Sequence, residues 1–108
     1  MALAEACYLL TRRFPKNEMF GMTTQIRRAA ASVRANIAEG HGRQQTRSFV
    51  QFLRVAQGSL KEVETHHLLS QRVGLLTAKE ARMPLEQCET VGKMLRALIR
   101  SLQQKTAD

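Results

Sequence analysis

Residues 25–43 read QIRRAAASVRANIAEGHGR. Ile26, Ala29, Val33 and Ile37 recur at intervals of three and four, the spacing that gathers apolar side chains on one face of an α-helix. At roughly 100° per residue, Arg27 and Arg34 project beside one edge of that seam. Gln25, Ser32, Asn36 and Glu39 project beside the other edge, with Arg28 toward the back. Gly40 and Gly42 follow as expected C-terminal stops. One short segment therefore declares a core face, a basic edge and a polar edge.

Outward from this segment the same period continues. Leu3, Cys7, Leu10 and Phe14 share a face that ends before Pro15. The second helix is expected to begin near Asn17 or Met22 and to end at Glu39. A third starts near Thr46, with Phe49, Leu53, Ala56, Leu60, Val63 and His67 as its seam and Gly74 as its end. A fourth opens on Thr77-Ala78-Lys79-Glu80, where the Thr hydroxyl and the Glu carboxylate have the spacing to satisfy each other's backbone donors. Its seam is Ala81, Leu85, Cys88, Val91, Leu95, Leu98 and Leu102, and Pro84 should kink or restart it. Clusters of β-branched residues are absent, which argues against strands. Four amphipathic helices with short connections predict an all-α fold, an antiparallel up-and-down four-helix bundle, as a single domain over residues 1–108.

The chain has 108 residues with 17 Lys and Arg against 9 Asp and Glu, a net charge of +8. Residues 12–54 hold nine basic and two acidic side chains, Glu18 and Glu39, so most of the excess is local. Local excess suggests an anionic partner, whereas dispersed charge would serve solubility alone. The third helix repeats the device of the second: Arg47, Arg54 and Lys61 are spaced by sevens, with Arg72 on the same stripe. Such a ridge would track a phosphate backbone, and arginine favours forked contacts with phosphate oxygens. The same side chains also suit a plainer role, stems covering the bundle core and heads in water. With no Trp, one Tyr and four Phe, mostly on seams, no stacking platform for single strands is evident. Binding to RNA or DNA should then be backbone-driven, salt-sensitive and weakly sequence-specific.

Chemistry is scarce. Cys7 and Cys88 fit no CxxC or zinc spacing and fall on seams, as buried reduced thiols do. Glu64-Thr65-His66-His67 supplies one Glu-x-x-His element, but a di-iron carboxylate site needs a second copy and two further inward carboxylates. Glu62 and His66 could make a surface hydrogen bond or a weak metal site. No P-loop or dinucleotide glycine pattern occurs. We expect no enzyme, no metal and no cofactor. Asn36 sits where a buried amide needs partners. Ser59, Glu62 or an arginine of a neighbouring subunit are candidates, and an interhelical bond that sets register competes with a ligand site. No signal-like or long apolar run appears, which points to the cytoplasm and away from a membrane.

These residues form a recognisable set. Phe14-Pro15, Glu18, Phe20-Gly21, Gln25 through Ala30, Ser32-Val33, Asn36-Ile37-Ala38-Glu39-Gly40, Arg43, Gly58-Ser59-Leu60 and Glu62-Val63-Glu64 resemble the four-helix-bundle S23 family. Its members are also called 23S rRNA intervening-sequence proteins, and it includes the accessory variability determinant of diversity-generating retroelements. The resemblance spans nearly the whole chain. It implies a homopentameric, barrel-like assembly with a positively charged surface. For the retroelement branch it implies nucleic-acid binding and association with a reverse transcriptase. Against the family pattern the first helix looks short: either its start is clipped, or the shorter helix leaves part of the core, around the C-terminal half of the fourth helix, less covered. The expectation is a non-catalytic homo-oligomer that binds RNA or DNA backbone through Arg27, Arg34, Arg47, Arg54 and Lys61, with Arg28 and Arg43 assisting. Asn36, Glu39, Gly40, Ser59 and Glu62 are assigned structural roles. The competing expectations are a scaffold that docks an acidic protein or a polymerase, and a metal-dependent enzyme.

Overall fold

The computed structural model describes residues 2–18 and 21–107, with side chains through residue 105; Phe20, one of the residues behind the resemblance, lies outside them. Among the described residues four α-helices run in order, α1 (Ala2–Thr11), α2 (Met22–His41), α3 (Thr46–Arg72) and α4 (Ala78–Ala107). A 3-10 turn over Lys16–Glu18 precedes α2, and no strand occurs among the described residues. α1 packs on α2 and α4, α2 on α3, and α3 on α4, the neighbour pattern of an up-and-down bundle. The body is 51 Å long, and the 30 residues of α4, at about 1.5 Å each, span most of it.

The expected seams are the core. Leu3, Cys7, Ile26, Val33, Leu53, Ala56, Val63, Cys88 and Leu95 are buried, while Phe49, Leu85, Val91 and Leu98 are half-buried at its rim. Burying a leucine or valine side chain contributes about 1.5–3 kcal/mol, so these seams drive assembly of helices that are marginal alone. Thr11, Ser59, Ser70 and Ile99 are also buried. In the C-terminal half of α4, where a short α1 would leave the core less covered, Leu95, Ile99 and Leu102 are buried and Leu98 is half-exposed on the seam.

Helix ends differ instructively from the expectation. Gly40 does not stop α2. It lies inside the helix, buried, and a Cβ there would stand 2.9 Å from Phe49 Cδ1 and 3.3 Å from Phe52 Cβ. Gly40 is therefore a close-approach residue that lets α3 pack against α2 at their shared turn. The stop falls at Gly42, whose N–H meets the carbonyls of Ala38 and Glu39 at 3.3 and 3.2 Å. Gly74 ends α3 as expected, with φ of 85°, and the Leu75 N–H returns to the Ser70 carbonyl at 2.8 Å. At the start of α4, Glu80 N–H donates to Thr77 Oγ1 at 3.1 Å and Thr77 N–H to Glu80 Oε1 at 3.0 Å. The Thr77 N–H first, and the Thr77 side chain after it, hold the Glu80 carboxyl below its ordinary range, with Arg13 at 2.9 Å contributing last. α4 continues through Pro84 without restarting. The proline comes early in the helix, where it removes only the bond to Glu80 O.

Candidate functional site

The structure divides the basic residues between two flanks. Arg27, half-buried, turns toward α1: its Nε donates to Thr11 Oγ1 at 2.9 Å, and its guanidinium carbon lies 4.0 Å from the centroid of the Tyr8 ring. Arg34, seven residues on along the same edge, is exposed. The other edge of α2 faces α3 through polar groups. Ser32 Oγ and Ser59 Oγ are 2.7 Å apart, and Asn36 Nδ2 donates to Ser32 O at 2.9 Å and to Ser32 Oγ at 3.1 Å. Asn36 thus reaches Ser59 through Ser32, and Glu62 stands exposed outside this network. A chain of short bonds at a helix interface favours one register, because sliding either helix would strand polar atoms.

The ridge of α3 lies on that helix's far side. Arg47 and Arg54 are exposed, and Arg54 Nη1 donates to Gln57 Oε1 at 3.3 Å. Gln57, Lys61 and Glu64 form one wall of a groove of about 530 Å³ between α3 and α4. Glu89, Gly92 and Arg96 form the other wall, and Leu60, Leu85 and Cys88 its floor. Arg27 therefore belongs to the α1–α2 contact and Lys61 to the α3–α4 groove. The two basic edges do not run into one another within a single chain. What the α3 wall faces instead is Arg96 of α4, with Arg100 one turn further along that helix, and sequence reasoning left both without a role. The available signal was a glycine, Gly92, in the middle of an otherwise regular helix, with an arginine at i+4.

Arg43 occupies the α2–α3 turn, 2.8 Å from Glu39 Oε1 and 4.8 Å over the Phe52 ring. Arg28 is exposed on the outer side of α2. Of the basic side chains, Arg13, Arg43, Lys61 and Lys93 make ion pairs among the described residues; Arg28, Arg34, Arg47, Arg54, Arg96 and Arg100 make none. Surface pairs such as Lys61–Glu64, at 4.0 Å with the lysine exposed, are worth little and open easily.

His67 is fully buried, with Nδ1 2.7 Å from the Val63 carbonyl and Nε2 3.8 Å from Cys7 Sγ. An oxygen acceptor at Nδ1 places the ring proton there, so Nε2 accepts from the Cys7 thiol across the diagonal of the bundle. Burial pushes both Cys7 and Cys88 up to about 12, which keeps them as thiols. For Cys88, nearby Cys7 and Glu64 add to burial. His66 Nδ1 is buried without a partner, so no bond to Glu62 forms there. No group of three His, Cys, Asp or Glu side chains among the described residues is placed to hold a metal ion, and no helix is long and apolar enough to cross a membrane.

Comparison with known proteins agrees with this architecture. No curated protein matches the chain. A solved structure from Bacteroides thetaiotaomicron, a protein of unknown function from the S23 ribosomal protein family, superposes with a TM-score of 0.77. It is 23% identical over 91% of this chain and 88% of its own, a likeness that speaks for the fold. The family model of the 23S rRNA-intervening sequence protein matches residues 1–97. With the four-helix fold and the RRAA…NIAEG segment in place, the chain belongs to the 23S rRNA-intervening sequence protein family.

Proposed function

We propose that this protein is a non-catalytic, oligomeric helical bundle that binds the backbone of RNA or DNA through arginine-rich surfaces. The observation behind this reading is the row of exposed arginines, Arg47 and Arg54 on α3 with Arg96 and Arg100 on α4, that have no acidic partner among the described residues. Unpaired guanidinium groups on two adjacent helices can neutralise successive phosphates and release their counterions. Arg34 and Arg28 extend the positive surface on α2, and Arg43, paired with Glu39 at 2.8 Å, assists at its turn. Arg27 serves it less, since its Nε and its planar face are engaged by Thr11 and Tyr8. Assembly into a homo-oligomer, a pentamer by family resemblance, would bring the separate basic edges of neighbouring copies together. A salt titration tests the mechanism: affinity for a labelled nucleic acid should fall steeply with ionic strength, and a flat profile would reject it. Light scattering tests the assembly, which a monomer in solution would exclude.

A second reading, docking of an acidic protein or a polymerase of the reverse-transcriptase kind, is favoured by exposed Leu9 and Met83 along the α1–α4 flank, near Arg13. A pull-down that survives nuclease treatment would favour it over the first.

A further inference from the structure

The groove between α3 and α4 is unlike a plain phosphate track. Its rim has two cations, Lys61 and Arg96, from facing helices, but its walls also hold two carboxylates, Glu64 and Glu89. Carboxylates in a channel meant for phosphates alone would repel them. Beside a nucleobase they are acceptors, and a carboxylate matches the exocyclic amino group of cytosine. Glu64 is the better placed: its side chain is 34% exposed and stands 4.0 Å from Lys61, a loose pair, whereas that of Glu89 is 68% exposed and held to Lys93 at 3.5 Å.

Gly92 points the same way. A glycine in a helix interior costs about 1 kcal/mol relative to alanine. Packing does not demand it here: an added Cβ would meet Arg96 Nη1 at 3.4 Å and Leu60 Cδ2 at 3.5 Å, close to ordinary contact distances, at a backbone with ordinary helical φ. The missing side chain instead leaves the groove open above an apolar floor of Leu60 and Leu85. At about 530 Å³ it lies within the roughly 300–1,000 Å³ of small-ligand sites, ample for one nucleotide.

We propose that the α3–α4 groove holds one unpaired nucleotide of a bound strand, its phosphate on Lys61 and Arg96, its base on the Leu60–Leu85 floor and its amino group on Glu64. The inference rests on the nucleic-acid reading above and adds to it a preference for single strands and for amino-bearing bases. It is sharper than the sequence allowed, because an aliphatic floor between two helices replaces the aromatic platform that the composition lacks.

Fluorescence anisotropy decides it, with fluorescein-labelled oligo-dC, oligo-dT and a mixed duplex, each of about twelve units, a common site size for single-strand binders. Oligo-dC should bind about fivefold tighter than oligo-dT, the worth of roughly one hydrogen bond. Gly92→Leu, which fills the groove, should weaken oligo-dC binding about fivefold or more while leaving duplex binding within about twofold. Glu64→Ala should abolish the preference for dC over dT, and it decides the matter if Gly92→Leu fails to fold by circular dichroism. Equal affinity for dC and dT, or an undiminished preference in Glu64→Ala, overturns the groove site and leaves backbone binding standing. Failure of every probe to bind at low salt overturns both.

Discussion

The guanidinium of Arg27 lies over the ring of Tyr8, 4.0 Å from its centroid, while its Nε donates to Thr11 Oγ1 at 2.9 Å. Thr11 Oγ1 in turn donates to the Cys7 carbonyl at 2.8 Å. A short helix of ten residues is thereby clamped to α2 by a stacked cation and a hydrogen bond as well as by its seam. Arg27→Ala should destabilise the fold by about 2–4 kcal/mol, the sum expected of a cation–π contact and a charged hydrogen bond. Arg27→Lys should recover only part of this, because an ammonium lacks the planar face. Urea unfolding measures both, and an unchanged midpoint in Arg27→Ala would assign this arginine to binding instead.

Arg47 and Arg54 should behave in the opposite way. The double variant Arg47→Gln, Arg54→Gln is expected to keep the stability of the parent within about 0.5 kcal/mol, since both side chains are exposed. It should weaken binding to all nucleic-acid sequences alike and lower the slope of log K against log salt by about 1.4–1.8. Binding isotherms at several salt concentrations check it. A slope equal to the parent's would place the phosphates elsewhere.

Two glycines one helix apart should respond with opposite signs. Gly58 sits exposed inside α3, and a Cβ there would meet nothing within 4 Å. Gly58→Ala should stabilise by about 0.5–1 kcal/mol through helix propensity. Gly40→Ala gains the same propensity but drives a methyl to 2.9 Å from the Phe49 ring, and should be destabilising by about 1 kcal/mol or more. Thermal melts of the two variants side by side test the packing account of Gly40 directly.

His67 predicts an acid-sensitive fold. Burial holds its pKa below the ordinary 6.5; the Val63 carbonyl opposes this and His66 adds to it. The folded state keeps the ring neutral while the unfolded chain protonates near pH 6.5. This contribution to stability is complete above pH 6.5 and is lost as pH falls from there toward the lowered folded pKa. The slope from this residue should reach at most about 1.4 kcal/mol per pH unit. Urea unfolding between pH 7.5 and 5.5 should show it in the parent, and His67→Gln should flatten it. An equal slope in the variant would shift the cause to another group.

Much of the architecture was legible along the chain because apolar spacing is a local property. Ile26, Ala29 and Val33 declare a helical face whatever they pack against, and Thr77 and Glu80 declare a cap within one turn of backbone. The family followed from the same local pattern, since RRAA…NIAEG is a string. Gly40 shows where local reasoning fails. As a string it reads as a stop, and only the proximity of Phe49, nine residues away and on another helix, reveals it as a packing residue.

The functional surface depended still more on tertiary structure. Heptad spacing showed that Arg27 and Arg34 share an edge, and that Arg47, Arg54 and Lys61 share another. It could not show how those edges meet, because that angle depends on how each helix rolls against its neighbours. The fold turned Arg27 inward onto Tyr8 and Thr11, and set the Asn36–Ser32–Ser59 chain between α2 and α3. It also brought Arg96 across from Lys61 beside the gap that Gly92 leaves. Side-chain periodicity determines which face of each helix is apolar; the burial of four such faces against one another decides which polar edges become neighbours.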